Sequence, residues 1–311
     1  MEEKEARTYD VIIIGGGPAG MTAGLYTSRA RLRTLLIENG LFGGQMTTTE
    51  LIENYPGFPQ GISGEELSRL MEEQAKRFGM EAISDEVEEI GLESDLKRVK
   101  TYEGEFFCRA LIICTGTEYR KLGVPGEEKF KGRGISYCAT CDGAFFRDSR
   151  IIVVGGGDSA LTEALFLTKF VSELTIIHRR DALRATKIYQ ERTLNHPKIK
   201  FLWNSVVQEI KGDSVVRSVV VKNVKSGEVK EVETEGAFLF IGLTPRTHFL
   251  KELVQIDESG YIVTNENCET SIKGIFAAGD CRKKLLRQIS TSVGDGATAA
   301  FAAEKYLEEG F

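Results

Sequence analysis

Cys138 and Cys141, in the stretch CATCDG, are the feature of the sequence with the most pointed chemistry. A CxxC pair can form half of a metal site, lie inert in a core, or open and close as a dithiol. Zinc needs four ligands. The chain has no second CxxC, and its three histidines, His178, His196 and His248, are scattered without ligand spacing, so no metal is expected. The residues around the pair are polar and turn-forming, unlike a core pattern. Asp142, beside Cys141 and ahead of Gly143, can exchange a proton with a thiol and can equally be an ordinary turn residue. Cys108 and Cys114 stand in or beside apolar strands, where a cysteine acts as a small buried hydrophobe. Cys268 and Cys281 read the same way, although Cys281 follows Gly279 and Asp280.

A repeat supplies the elements that would position such chemistry. VIIIGGGPAGMTAGLYTSRARLRTLLIE (Val11–Glu38) and IIVVGGGDSALTEALFLTKFVSELTIIHRR (Ile151–Arg180) share one plan. An apolar β-branched run turns through three glycines into a helical stretch and ends in a second apolar run, a βαβ unit. Gly15, Gly17 and Gly20 make GxGxxG, for a tight turn, close backbone approach to a pyrophosphate and tight helix–strand packing. Pro18 and Ala19 open the helix whose N-terminus would receive the phosphate. In the second unit Gly155, Gly156 and Gly157 lead into Asp158 and Ser159, and Ala160 takes the third glycine's place. When Gly15 is set over Gly155, Glu38 falls on His178. An acid there accepts hydrogen bonds from ribose hydroxyls and repels a 2′-phosphate, which suits FAD or NAD. The second unit has His178, Arg179, Arg180 and Arg184 instead, and guanidinium groups bind phosphate through paired charged hydrogen bonds, which suits NADPH.

The 311 residues suit two domains. ALIICTGTEYR (Ala110–Arg120), with Thr115 and Gly116 at its turn, and AFLFIGLTPRT (Ala237–Thr247) read as strands closing the two units. GIFAAGDC, with Gly279 and Asp280, and the small-residue helix after it return the chain to the first unit. Ser63 with Glu66 reads as a capping box before a helix with Leu67, Leu70, Met71, Ala75 and Phe78 on its apolar face and Gly79 as its stop. Ser214–Thr234 reads as a hairpin turning at Lys225–Gly227. The fold expected is α/β: two Rossmann-like, three-layer ββα dinucleotide-binding domains, with the second (118–246) inserted into a discontinuous first (1–117 and 247–311).

Hydrophobic residues make up 41% of the chain, enough for a substantial core, and the net charge of −6 argues against nucleic acid as a partner. The opening MEEKEARTYD lacks the pattern of a secretory signal, and apolar runs such as VIII fall far short of the roughly 20 residues that span a bilayer. A cytoplasmic location without membrane attachment is expected. There, thiols are kept reduced and a CxxC is redox-active or metal-binding. A dithiol near a flavin would have work to do, because flavin joins hydride chemistry to sulfur chemistry.

CATCDG, HRRDALR, GGGDSA and ENYPGFP together resemble the low-molecular-weight thioredoxin reductase family of bacteria and archaea, from Asp10 to the C-terminus. The resemblance implies FAD in the discontinuous domain, NADPH in the inserted one, a homodimer, and thioredoxin or a glutaredoxin-like protein as partner. It assigns flavin contacts to Gly15, Gly17, Gly20, Glu38, Gly44, Gln45, Asn54 and Asp280, with Arg287, Gln288 and Ile289 as the flavin-contacting segment; Thr48 joins them as a cofactor residue. It implies that Cys141 faces the flavin, that Cys138 attacks the disulfide of thioredoxin, and that Asp142 manages the proton. It also implies rotation of one domain against the other about crossings near 117–120 and 244–248. The alternatives are a relative that uses NADH or ferredoxin and a nucleotide-binding sensor with a structural CxxC. Ferredoxin-dependent relatives lack the arginine cluster present here.

Overall fold

A computed structural model describes residues 7–49, 51–250 and 252–310. The acidic opening stretch through Ala6, and Glu50, Lys251 and Phe311, lie outside the described residues. The chain divides into two compact units: residues up to Glu118 with those from Thr244 on, and Tyr119–Leu243 between them.

The first unit opens with β1 (Thr8–Ile14), α1 (Pro18–Arg29), β2 (Thr34–Glu38), α2 (Gly64–Lys76), β3 (Glu81–Ser84), β4 (Val87–Glu93), β5 (Leu96–Thr101) and β6 (Gly104–Ile113). After β7 (Thr117–Tyr119) the second unit runs through α3 (Glu127–Phe130), β8 (Ile135–Ser136), α4 (Ala139–Asp142), β9 (Arg150–Gly155), α5 (Asp158–Leu167), β10 (Glu173–Ile177), α6 (Lys187–Leu194) and β11 (Ile199–Leu202). It continues with β12 (Ser205–Gly212), β13 (Val216–Asn223), β14 (Val229–Glu233), β15 (Gly236–Phe240) and β16 (Leu243–Pro245), which forms a short ribbon with β7. The first unit resumes with β17 (Ile275–Ala277) and α7 (Ile289–Glu308).

Both units carry the same parallel core. In the first the strand order is β3-β2-β1-β6, with β17 also on β6; in register, Ile12 lies beside Leu35 and Leu111. In the second the order is β11-β10-β9-β15-β8, and Val153 lies beside Ile176 and Phe238. Chain order reverses beside β1 and beside β9, and the crevice at the carboxyl ends of such strands is where α/β sheets take ligands.

Near-continuous apolar runs such as VIII and IIVV bury both faces of each sheet, as parallel sheets require. In the first unit Val11, Ile13, Leu36 and Ile112 pack against small residues of the helices, among them Ala19, Ala23, Ala299, Ala300 and Ala303. The opposite face, with Ile12, Ile14, Leu35 and Leu111, meets Val99, Leu250, Val254 and Ile262. In the second unit Ile151, Val153 and Ile176 meet Ala160, Leu161, Ala164 and Leu167 of α5, while Ile152, Val154 and Ile177 meet the antiparallel β12–β14 layer through Val207, Ile210, Val219 and Val221. Helices, parallel sheet and antiparallel layer make the three layers of an α/β fold.

Three local expectations change in detail. Ser63 Oγ accepts the Glu66 N–H at 3.1 Å, but the Glu66 carboxylate binds Arg69 at 2.7 and 2.8 Å, so only half of the capping box forms. On the expected apolar face of α2, Leu67 and Ala75 are buried, whereas Leu70 and Phe78 remain 36% and 37% exposed. Phe78 lies beyond the helix end, where Arg29 and Arg77 stack on its ring. The hairpin forms as β13–β14, and β12 adds a third strand that the sequence reading did not include. Among the described residues, no helix is long and apolar enough to cross a membrane.

Candidate functional site: two glycine cradles and a dithiol

The turn after β1 is shaped by backbone approach. Gly15 sits at φ +106, and a Cβ there would stand 2.3 Å from Cys114 O. A Cβ on Gly20 would stand 1.8 Å from Gly15 O, so α1 can lie this close to the turn only without a side chain. Gly17 is the opposite case, with no atom within 4 Å of the Cβ position. It caps α1 with no side-chain hydrogen bond, no acid lies in the first turn, and Pro18 follows. The first N–H groups of the helix thus border open space, the cradle that a pyrophosphate would fill.

The other flavin-contact candidates gather around this turn. Glu38, ending β2, accepts the Gly16 N–H through Oε2 at 2.5 Å, which fixes its carboxylate at the rim. Gly43 N–H reaches Gly16 O at 2.7 Å, bringing up the 3-10 turn Gly44–Thr48. There Gln45 Nε2 donates to Thr117 Oγ1 at 3.1 Å and Thr48 Oγ1 to Gln45 O at 2.9 Å. Asn54 Nδ2 donates to Gln288 Oε1 at 2.9 Å; Gln288 caps α7, and Ile289 packs with Met21, Met46 and Leu67. Gly279, at φ +80, lies against Ala19. Burial pushes the Asp280 carboxyl up, against the pull of Lys284, the Ser292 hydroxyl and Arg287. The Arg287 guanidinium lies 3.8 Å over the Tyr261 ring. The Thr115 hydroxyl is buried beside the Cys281 thiol, next to Gly116 at φ +62. An open glycine cradle at the carboxyl ends of β1 and β6, with space at Gly17 and Gly116, fits a polar dinucleotide.

The second unit repeats the turn with different contacts. Gly155, at φ +153, approaches Phe240 O, and Ala160 stands where the first unit has Gly20. Gly157, like Gly17, has no atom within 4 Å of its Cβ position. The Asp158 carboxylate accepts from Thr186 N and Oγ1 at 2.7 and 2.9 Å, and Arg184 N–H reaches Gly156 O at 2.8 Å, so the basic loop is tied to the turn. Ser159, Arg179, Arg180 and Arg184 are exposed. None of the three guanidinium groups pairs with a carboxylate among the described residues. His178 differs from them: it is buried beneath Gly156, with Nε2 3.1 Å from Ala182 O. Burial, with Arg184 and Arg180 adding to it, holds its pKa below the ordinary value. His178 therefore supports the loop as a neutral ring.

Cys138 and Cys141 are joined as a disulfide across the short turn α4, with Cα atoms 5.4 Å apart. Cys138 Sγ accepts the Cys141 N–H at 3.1 Å, and Asp142 N–H reaches Cys138 O at 3.2 Å. Cys141 is exposed, and Cys138 and Asp142 are half-buried. Cys108, Cys114, Cys268 and Cys281 are free and buried. Burial raises their thiol pKa values, to about 12 for Cys108 and about 11 for Cys268 and Cys281. A buried thiol of high pKa is a poor nucleophile, which leaves the 138–141 pair as the reactive sulfur.

The family described as Pyridine nucleotide-disulphide oxidoreductase matches residues 9–296. The chain is 51% identical over 306 residues to the thioredoxin reductase of Bacillus subtilis, covering 98% of this chain and 96% of that one. The chain belongs to this family, on its thioredoxin reductase branch. Among solved structures, the thioredoxin reductase of Lactococcus lactis is similar with a TM-score of 0.95 at 52% identity, covering 97% of this chain and 99% of that one. The thioredoxin reductase of T. acidophilum reaches 0.92 at 35% identity, with the same coverage of each chain. Membership implies a flavin and a nicotinamide cofactor.

Several contributors were not visible in the sequence reading. Asp295 on α7 accepts from Arg282 Nη1 and Lys284 Nζ, each at 2.9 Å, and from Gly279 N–H at 3.1 Å, pinning the Gly279–Asp280 turn. Glu127 is buried and accepts from Leu122 N, Gly123 N and Tyr137 Oη at 2.9, 2.7 and 2.6 Å. It braces the residue that precedes Cys138. The only sequence signals were an acid within a small-residue helix and an acid pair in PGEEKF.

Proposed function

We propose that the chain is an NADPH-dependent thioredoxin-disulfide reductase that binds FAD in its discontinuous unit and NADPH in its inserted unit. It would work in the cytoplasm as a homodimer. Support comes chiefly from one conjunction: a single reactive cysteine pair, bonded as a disulfide, in a chain with two open dinucleotide cradles.

FAD would rest its pyrophosphate on the α1 N-terminus at Gly17–Gly20, with Glu38 accepting from the ribose hydroxyls. NADPH would lie at Gly155–Ser159, and Arg179, Arg180 and Arg184 would hold its 2′-phosphate. The bound cofactors supply two-electron chemistry, taking a hydride from nicotinamide and delivering the electron pair to sulfur. The chain's own steps are thiol exchanges. The Cys138 thiolate attacks one sulfur of oxidised thioredoxin, forming a mixed disulfide and releasing one partner thiolate. Cys141 then attacks Cys138 Sγ, restoring the 138–141 bond and releasing the second partner sulfur. Asp142, beside Cys141, gives and takes the proton as each sulfur changes charge.

Anaerobic titration of the flavin-loaded protein with NADPH or NADH, followed by oxidised thioredoxin and a count of new thiols, tests this reading. Turnover with NADPH and its loss in Cys138→Ser are expected. Full turnover in Cys138→Ser removes the nucleophile, and a chain that cannot hold FAD ends the reading.

A further inference from the structure

The chain enters the cysteine turn from β8, at one end of its sheet, where Ser136 lies beside Phe238. Ser136 is buried, and its hydroxyl holds both ends of Cys138. It accepts the Cys138 N–H at 3.0 Å and donates to Cys138 O at 3.1 Å. Tyr137, between them, has an anchor of its own. Its Oη donates to Glu127 Oε1 at 2.6 Å, and its ring stacks on Tyr119 with centroids 6.3 Å apart. Burial and Glu127 push the phenol pKa up, so Oη keeps the proton it donates. Glu127 is 2% exposed and is fixed in turn by the Leu122 and Gly123 N–H groups at 2.9 and 2.7 Å. A buried carboxyl is costly unless its hydrogen bonds are made, and here they are spent on the residue before Cys138. Cys141 contrasts with this: it is exposed, and its N–H goes to Cys138 Sγ at 3.1 Å.

We propose that Ser136 and Tyr137, with Glu127 behind Tyr137, are positioning residues for Cys138: they hold its backbone in place so that its sulfur stays within reach of Cys141 after the disulfide opens. This rests on the reading of Cys138–Cys141 as a working dithiol. Two thiols close into a disulfide more readily when one of them is already placed, because less freedom is lost on closure. The clamp grips the backbone of Cys138 and the side chain before it, and leaves the sulfur free to exchange. Its loss therefore loosens the open dithiol and shifts the equilibrium toward it. One hydrogen bond of ordinary net strength corresponds to a shift of about fivefold.

The test is the thiol–disulfide equilibrium. The purified protein is brought to equilibrium anaerobically in buffers of reduced and oxidised glutathione, in which two glutathione thiols become one glutathione disulfide as the Cys138–Cys141 bond opens to two thiols. The thiols are trapped with acid and alkylated, and the reduced fraction is read by mass spectrometry on the tryptic peptide spanning residues 134–147. Tyr137→Phe keeps the ring and removes the Oη donor; Ser136→Ala removes the hydroxyl. Each should shift the equilibrium toward the dithiol by about fivefold. Ser136→Thr restores a hydroxyl and should return to within about twofold of wild type. Ile199→Val, in a buried residue of β11 at the opposite end of the same sheet, should lower the melting temperature without moving the equilibrium. Equilibria of Tyr137→Phe and Ser136→Ala within twofold of wild type overturn the proposal. So does an equal shift in Ser136→Thr or in Ile199→Val, which would make the effect one of general loosening. If the wild-type pair stays closed even in excess dithiothreitol, the dithiol reading falls and this inference falls with it.

Discussion

Gly20→Ala sets two effects of opposite sign against each other. Alanine is favoured over glycine inside a helix by about 1 kcal/mol, so on propensity alone α1 should gain. The added Cβ would stand 1.8 Å from Gly15 O. Carbon and carbonyl oxygen meet comfortably at about 3.3 Å, so helix and turn would have to part by about 1.5 Å. Gly15 cannot retreat, because Cys114 O already lies 2.3 Å from its own Cβ position. Nor can α1 slide freely toward α7, where a Cβ on Gly296 would meet Ala19 O at 2.2 Å. Overpacking typically costs about 1–3 kcal/mol, and here both sides are backbone, with no rotamer to relieve them. A net loss of about 2 kcal/mol is expected. The shift falls on the N–H groups proposed to hold the flavin pyrophosphate, so flavin affinity should drop by more than about tenfold. The matching change in the second unit, Ala160→Gly, should cost about 1 kcal/mol of helix propensity and leave the flavin bound. Thermal melting and the visible flavin band per chain read both outcomes. A Gly20→Ala protein with full flavin and an unchanged melting temperature would refute the close-approach argument.

Arg179→Ala combined with Arg180→Ala should raise KM for NADPH at least tenfold and leave NADH nearly unaffected, since charged hydrogen bonds contribute about 1.5–3 kcal/mol each; steady-state kinetics with both nucleotides decides. Asp85 is buried, which opposes its charge, but the Thr101 hydroxyl and the N–H groups of Glu103, Glu86 and Tyr102 outweigh burial and lower its pKa. A depressed carboxylate stabilises the fold above its unfolded pKa of about 3.9 and loses that contribution as pH falls through the folded value. Urea midpoints should therefore place Asp85→Asn about 1–3 kcal/mol below wild type at pH 7, with the gap closing in acid. The native reduced protein should show fast reaction with a thiol reagent only at Cys138 and Cys141, and the four buried thiols should respond only after denaturant is added; fast native labelling at Cys268 or Cys281 would contradict their burial.

The two βαβ units were legible because parallel strands buried on both faces read as continuous apolar runs, and because GxGxxG is a local backbone requirement written in one residue type. The arginine loop was legible for a similar reason, as it follows a strand at a fixed distance from the glycines. Glu127 and Asp295 were not, since an acid in a helical stretch reads as a solvated charge until tertiary packing gives it partners. Glu66 shows the converse: Ser-x-x-Glu predicts a reciprocal cap, but an arginine three residues on offers the carboxylate a charged partner. The exposure of Leu70 and Phe78 also lies beyond periodicity, which finds an apolar stripe but not how wide a stripe the rest of the fold covers.

Superposing the two glycine turns puts Glu38 over His178, and the structure gives that alignment a physical meaning. Each side chain addresses the middle glycine of its turn: Glu38 through the Gly16 N–H, His178 by filling the space a Cβ on Gly156 would need. One point of the scaffold therefore carries a fixed anionic acceptor in the first unit and a buried ring, biased to neutrality, in the second. With His178 biased to neutrality, the positive charge offered to the proposed 2′-phosphate comes from the exposed guanidinium groups of Arg179, Arg180 and Arg184. A 2′-phosphate would be repelled at Glu38, and a plain ribose would leave the arginines without a charge to bind. On the proposed assignment of FAD to the first unit and NADPH to the second, the same βαβ unit can occur twice in one chain without the cofactors exchanging places, because selectivity would rest on which charge stands beside the ribose.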